Sequence, residues 1–218
     1  MAVLTGATPD PRSPGYCQLE VDRGCFASLP EELLLPLGLV VGAELTAATL
    51  DRLQALADIE AAYRSAVRAQ ARRPHARGDL RRRLIQKQHP PSAVEVALER
   101  LAGQGLLDDR RFAEHFAASR VARGRAPARL VKDLLQQGVD RRIAEEAVRL
   151  ALVEEDVDPD VEMRRVAARR VAQLVGLPVE VVRRRLLAYL ARRGYQGARV
   201  REMVERVVVA ASSPPEVP

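Results

Sequence analysis

The chain has no tryptophan, three phenylalanines and four tyrosines, so aromatics make up only 3% of its 218 residues. A core built without them must come from Leu, Val and Ala, and Ala and Leu are strong helix formers. The same shortage excludes a stacking platform for unpaired bases, so sequence-specific reading of single strands is not expected. Lysine is nearly missing as well: Lys87 and Lys132 are the two, and every other one of the 35 basic residues is Arg. The three histidines, His75, His89 and His115, lie in separate segments with no Cys or His at metal-ligand spacing, which leaves no metal expected. No GxxxxGK[ST] phosphate loop and no GxGxxG turn occurs, so no nucleotide cofactor is expected either. Asp108 and Asp109 are adjacent carboxylates, but a helix cap beside its dipole partner accounts for them better than an acid–base pair does. Nothing in the chain assembles a catalytic constellation, and an enzyme is not expected.

Targeting signals are missing too. The N-terminus has no basic segment followed by an apolar run, and no apolar stretch is long enough to span a bilayer. Cys17 and Cys25 flank a short hairpin, but nothing else looks secreted, so both thiols are read as unbonded in a reducing, cytoplasmic setting without membrane contact.

What the sequence does contain is charge and repetition. The net charge is +6 and the pI about 10.0, which calls for an anionic partner, a nucleic acid or an acidic protein surface. The arginine bias follows as readily from base composition as from function, although Arg forks carboxylates and phosphates better than Lys. Residues 1–14 are small, Pro-containing and without periodicity, and read as a disordered tail. Over residues 15–50, Tyr16 to Val21 alternates, Asp22-Arg23-Gly24 is turn chemistry, and Cys25 to Leu29 returns, a small β-hairpin. A short helix opened by Pro30 and a Gly-punctuated loop follow.

From Asp51 onward the pattern is helical and recurs. Leu80 and Leu84, Leu130 and Leu134, and Leu186 and Leu190 each stand one turn apart on one helix face. Gly138 and Gly194 end the second and third of these helices as left-handed caps. In the first, Gln88 stands where Gly would be, followed by His89-Pro90-Pro91, so that helix should stop by another route. Each pair is preceded by a helix, carrying Ile59, Tyr63, Ala66 and Val67, then Phe112 and Phe116 pointing inward, then Val166 and Val171. Each is followed by another, carrying Val94, Leu98 and Leu101, then Ile143, Ala147 and Leu150, then Val200, Val204 and Val207. The expected fold is mainly α: an elongated or curved array of three tandem three-helix repeats, over 51–107, 108–156 and 157–209, with a disordered tail at 210–218.

The stretch GLLDDRRFAEHFAASRVARGRAPARLVKDLLQQGVD, Gly105 to Asp140, shows what the repeats leave outside. Asp108 is an N-cap, Asp109 suits the positive end of the helix dipole, Gly124 stops the helix, and Pro127 sits in the first turn of the next. Arg110, Arg111, Arg120, Arg123, Arg125 and Arg129 are left to meet solvent or a partner. Arg81, Arg82 and Arg83, and Arg183, Arg184 and Arg185, occupy similar places in the first and third repeats. Any one of them serves as a solvated face balanced by nearby acids, whereas stacked repeats line equivalent positions into a basic track. Contacts of such a track with nucleic acid would go to phosphates and weaken steeply with salt.

At these residues the sequence resembles the RecX family, regulators of the RecA recombinase. The match lies in the acidic pair, the Phe-Ala-x-x-Phe helix ending in Ser-Arg, the Gly-x-x-Pro turn and the Leu-to-Gly helix of the second repeat. LLAYLARRGY in the third repeat and RRPHARGDLRRRL in the first are similar to the family's other repeats, and the likeness runs from about Tyr16 to Val209. Gln88, the extra loop residue and the heavy Arg bias depart from it. The resemblance implies a protein without enzymatic activity that lies in the helical groove of the RecA–DNA filament and bridges its subunits. It would inhibit filament extension, ATP hydrolysis, strand exchange and the coprotease function. It implies a monomer that binds DNA weakly and without sequence specificity. The residues expected to carry this are Arg81, Arg82, Arg83, Arg110, Arg111, Arg120, Arg123, Arg129, Lys132, Arg183, Arg184 and Arg185. Two other readings stay open: a nonspecific DNA-binding protein acting by competition for DNA, which the three-helix units allow, and a plain helical scaffold.

Overall fold

A computed structural model describes residues 2–212. Its N-terminal residues are not a tail. Strand β1 (Ala2–Pro9) runs antiparallel to β2 (Tyr16–Val21), which pairs in turn with β3 (Gly24–Pro30). A two-residue β4 (Glu44–Leu45) joins the far edge of β1, giving a four-stranded sheet in the order β3-β2-β1-β4. The expected disorder over 1–14 is thereby corrected, and the hairpin of 15–50 becomes the middle of a sheet. The physical reason is that only Leu4 of β1 is fully buried, joining Leu19, Leu29 and Leu53 in one cluster. A strand held by one anchor and its ladder hydrogen bonds shows no alternation in sequence.

The hairpin turn also differs from its sequence signature. Asp22 and Arg23, with φ of 49° and 65°, take the left-handed conformations that a two-residue hairpin loop needs, and Gly24 already belongs to β3. Neighbouring β1 holds them there. Val3 N–H donates to the Asp22 carboxylate at 2.9 Å, and Arg23 N–H donates to Thr5 Oγ1 at 2.9 Å. After β3 come the four-residue α1 (Glu31–Leu34), a 3₁₀ turn over Leu35–Leu37, and the left-handed Gly38.

Three helical triplets follow. The first is α2 (Ala47–Arg72), α3 (Arg77–Gln86) and α4 (Pro91–Gly103). Helix α2 starts a turn earlier than Asp51 because Thr46 caps it, its hydroxyl accepting from Thr49 N–H at 3.1 Å. Ala62, Ala66, Leu80, Leu84, Val94, Leu98 and Leu101 form the core of this triplet. The second is α5 (Asp109–Val121), α6 (Pro127–Gln136) and α7 (Arg141–Glu154); the third is α8 (Pro159–Ala172), α9 (Val179–Arg193) and α10 (Ala198–Ser212). Asp108, Asp140 and Asp158 cap α5, α7 and α8 with their carboxylates. Helix α10 continues through 210–212, which were expected in a tail; 213–218 lie outside the described residues.

In the second triplet the buried faces are turned from the expected ones. Ala113, Ala117 and Val121 are buried, while Phe112 and Phe116 sit half-buried at the edge of the core with ring centroids 6.1 Å apart. Likewise Ala144, Ala147, Val148 and Ala151 are buried in α7, with Ile143 only partly so. Small side chains face the partner helix closely and push the larger ones to the rim, an arrangement a count of apolar spacings does not distinguish.

The second helix of every triplet ends in the same way. Gln88 N–H donates to the Ile85 carbonyl and His89 N–H to Leu84. Gly138 and Val139 repeat this onto Leu135 and Leu134, and Gly194 and Tyr195 onto Ala191 and Leu190. This is one Schellman closure used three times. Gln88 therefore replaces the glycine without a change of route: it adopts φ 66° itself. The expectation that this helix stops differently is corrected.

The chain forms two compact units, one reaching to His75 and including Asp79–Leu107, the other formed by Ala76–Gly78 and everything from Asp108. Within the second unit the capping glycines are also contact points. A Cβ on Gly138 would lie 2.7 Å from Gly78 Cα, and one on Gly194 would lie 2.3 Å from Arg129 Cβ. Ala76 contributes to the second triplet's core and Ala126 to the third's. Among the described residues no helix is long and apolar enough to cross a membrane.

Candidate partner-binding surface

The predicted basic residues divide by what they touch. Several are occupied within the fold. Arg81 pairs with Glu95 at 2.5 Å, and Arg83 with Asp79 at 3.0 Å. Arg82 also reaches Asp79, at 3.7 Å, and Arg110 reaches Glu146 at 3.3 Å. Arg129 pairs with Asp133 at 2.8 Å, and Arg183 lies between Glu180 and Glu205 at 3.1 and 3.0 Å. The pairs of Arg81, Arg110 and Arg183 are solvent-exposed on both sides and each contributes little to stability, whereas Asp79 and Asp133 are mostly covered. The others, Arg111, Arg123, Lys132, Arg184 and Arg185, are exposed and make no ion pair among the described residues.

One group is drawn together around the turn between α5 and α6. Arg120 lays its guanidinium over the Phe116 ring, 3.7 Å from the centroid, and donates to the Phe116 carbonyl at 3.3 Å. Burial lowers its pKa, and the positive charges of Arg125 and Arg123 lower it further. Arg125 and Arg129 share Asp133. Arg193, at the end of α9, donates to the Arg123 carbonyl at 3.1 Å, and its own carbonyl accepts from Ala126 N–H. Arg120, Arg123, Arg125, Arg129 and Arg193 thus gather at this turn, where Arg125 and Arg129 share Asp133 and Glu162 lies against Gly124. Arg193 was not among the residues the sequence singled out. Its signal, position beside the Gly194 stop, marks a helix end but not the partner of that end.

The run Arg81–Arg83 has a different setting. Asp79 at its start accepts from His75 Nδ1 at 2.7 Å and from Arg83. Burial raises its pKa, but the bonds from His75 and Arg83 outweigh this and hold it below its ordinary value. The adjacent pair Asp108-Asp109 serves two helices. Asp108 accepts from Arg111 N–H at 3.0 Å and caps α5. Asp109 accepts from Arg77 N–H at 2.7 Å and so satisfies the start of α3. Burial pushes its pKa up.

Sequence reasoning missed a polar network in the first unit. Glu60 on α2 is almost fully buried, and Arg100 on α4 donates to it at 2.9 Å. Tyr16 of β2 donates to the same carboxylate at 2.8 Å. The Arg100 guanidinium stacks on Tyr63, 3.9 Å from its centroid. Ile59 was expected on this inner face; Glu60 occupies it because each of its oxygens has a partner. Cys17 is half-buried and Cys25 exposed, both free; Gln18 Nε2 lies 3.2 Å from Cys25 Sγ.

Comparison with known proteins gives a consistent answer. A family model described as the first three-helix domain of RecX matches residues 62–101, and one described as the second matches 108–148. Regulatory protein RecX of Halorhodospira halophila is 39% identical over 145 residues, covering 65% of this chain and 85% of its own length. Regulatory protein RecX of Thermobifida fusca is 36% identical over 148 residues, covering 66% and 77%. A crystal structure of regulatory protein RecX superposes with a TM-score of 0.68 at 20% identity, covering 94% of this chain and all of that one; it shares the fold.

Proposed function

From its membership in the RecX family of regulatory proteins, which are not enzymes, we propose that this chain binds the RecA filament on DNA and inhibits the recombinase. It lies in the helical groove and bridges neighbouring subunits. Filament extension, ATP hydrolysis, strand exchange and coprotease function all fall as a result. It acts in the cytoplasm as a monomer and touches DNA weakly, through phosphates and without sequence preference. The observation that carries this reading is the set of exposed cations that make no ion pair among the described residues, Arg111, Arg123, Lys132, Arg184 and Arg185, carried on two successive copies of one three-helix unit. Weak contacts repeated along a chain of modules gain avidity on a repeating polymer and little on a single site. The half-engaged arginines Arg81, Arg82, Arg83, Arg110, Arg129 and Arg183 form a second rank that exchanges its intramolecular acids for those of the partner, and Arg120, held on the Phe116 ring, stands beside them.

Competition for DNA is the second reading, favoured by the net charge of +6 and by the three-helix units. Adding the protein to RecA filaments already assembled on DNA, and following ATP hydrolysis at several salt concentrations, separates the two. Filament binding predicts inhibition well below the concentration that coats the DNA and poor rescue by added free DNA. Stoichiometric coating with full rescue would establish competition instead.

A further inference from the structure

Helix pair α8 and α10 of the third triplet holds a cavity of about 280 Å³ lined by Asp160, Met163, Arg164, Arg199, Met203, Arg206 and Val207. Met163 and Met203 are buried and form its floor. Its rim carries three guanidiniums against one carboxylate, and that carboxylate is taken by Arg199 at 2.5 Å. Arg164 and Arg206 are exposed and make no ion pair among the described residues. None of these arginines belongs to the basic set on which the proposed filament binding rests.

The repeats show what this place is for. In α4, α7 and α10 three buried positions fall in the same spacing: Val94, Ala97 and Leu98; Ala144, Ala147 and Val148; Val200, Met203 and Val204. That places Arg100, Leu150 and Arg206 at equivalent positions. In the preceding helices, Ala62 and Ala66 match Ala113 and Ala117, and Met163 and Ala167, which makes Tyr63, Glu114 and Arg164 equivalent. In the first triplet, Arg100 stacks on the Tyr63 ring and pairs with the buried Glu60 carboxylate. Its charge is met by an aromatic ring and an acid from within the chain. In the second triplet the position is apolar and needs neither. In the third, Arg206 returns but its neighbour is Arg164 instead of a ring, and Val161 stands at the position of Glu60. The cavity stands where the first triplet has its own Tyr63.

We infer that this cavity docks an acidic peptide segment of a partner protein, through one aromatic side chain on the Met163–Met203 floor and carboxylates on Arg164 and Arg206. A nucleic-acid backbone matches the charge but supplies nothing for a thioether floor. A peptide supplies both, and thioethers accommodate aromatic side chains well. Guanidiniums fork carboxylates in two-point contacts, and they also stack on rings, as Arg100 does.

The test uses the full-length protein and three fluorescein-labelled probes: the peptide Glu-Asp-Phe-Asp-Glu, the same peptide with Ser for Phe, and a five-nucleotide oligothymidylate. Anisotropy titrations at 50 mM salt should show saturable binding of the Phe peptide, at least tenfold tighter than of the Ser peptide or the oligonucleotide. The double variant Arg164→Glu, Arg206→Glu should weaken it at least tenfold while keeping the wild-type helical circular dichroism and melting temperature. The double variant Arg184→Glu, Arg185→Glu should leave it within twofold but weaken inhibition of the filament ATPase. Equal binding of the Phe and Ser peptides, preference for the oligonucleotide, or insensitivity to the Arg164 and Arg206 changes would each overturn the inference. Because the peptide assay contains no filament, its failure leaves the filament reading standing, and the ATPase assay can fail alone in the same way.

Discussion

The first and second triplets share an architecture and differ in what fills it. The second packs Ala113, Ala117 and Val121 of α5 against the small residues of α7 and ends α6 at Gly138, which sits directly on Gly78. The first has a buried ion pair, Glu60 with Arg100, and ends α3 at Gln88 with a side chain in the left-handed region. One triplet is close-packed and intolerant of added volume. The other is polar within and strained at its cap. The same backbone closure survives both solutions because its hydrogen bonds run between main-chain groups.

The sharpest way to test the contrast is to add a methyl group to each cap. Gly138→Ala places a Cβ against the Gly78 backbone and a side chain at φ 83°. It should cost about 3 kcal/mol or more in urea unfolding, from overpacking and left-handed strain together. A loss below about 1 kcal/mol would mean that the two backbones separate freely. Next in size is Arg100→Leu, which leaves the Glu60 carboxylate buried without its cation. We expect a loss of about 2–4 kcal/mol, at the lower side of the range for broken buried pairs because Arg100 is about a third exposed. Pairing it with Glu60→Leu should restore most of the stability; no recovery would show that the two residues act independently.

A smaller effect of opposite sign comes from Gln88→Gly. It removes a non-glycine residue from φ 66° and should raise stability by about 1 kcal/mol, seen as a higher melting temperature. The smallest effects distinguish two aspartates by pH. Asp79 titrates below its ordinary value of 3.8, so the stability it lends is present above that pH and is lost as pH falls through its folded value. Asp79→Asn should flatten the acid limb of the stability profile. Asp109 is raised by burial, so the folded state takes up its proton first and acidification through that range favours folding. Asp109→Asn should remove a contribution of the opposite sign. Matching acid limbs for the two variants would contradict the assigned directions.

Much of the helical part was legible from the sequence, since leucine pairs, Gly stops and Asp caps act within one or two turns of chain. Leu80, Leu84, Leu130, Leu134, Leu186 and Leu190 are all buried where their spacing put them. Phe112 and Phe116 misled because size does not say which face meets a neighbour. Strand β1 was invisible because its ladder, not its side chains, holds it. Of the surface, exposure of the arginine runs was readable; that Asp133, Asp79 and Glu95 engage some of them and leave others open was not, because the acids of Arg81 and Arg110 come from other helices.

The sequence by itself determined that this is an arginine-rich helical repeat protein with a small strand segment, because helix propensity, capping and apolar period are local properties of the chain. Only the tertiary structure decided which residues inherit a glycine's conformation, that a carboxylate on α5 completes the start of α3, and that the ring and acid meeting Arg100 have no counterpart beside Arg206. Those outcomes depend on groups far apart in the chain meeting at distances of a few ångströms, and no local pattern encodes them.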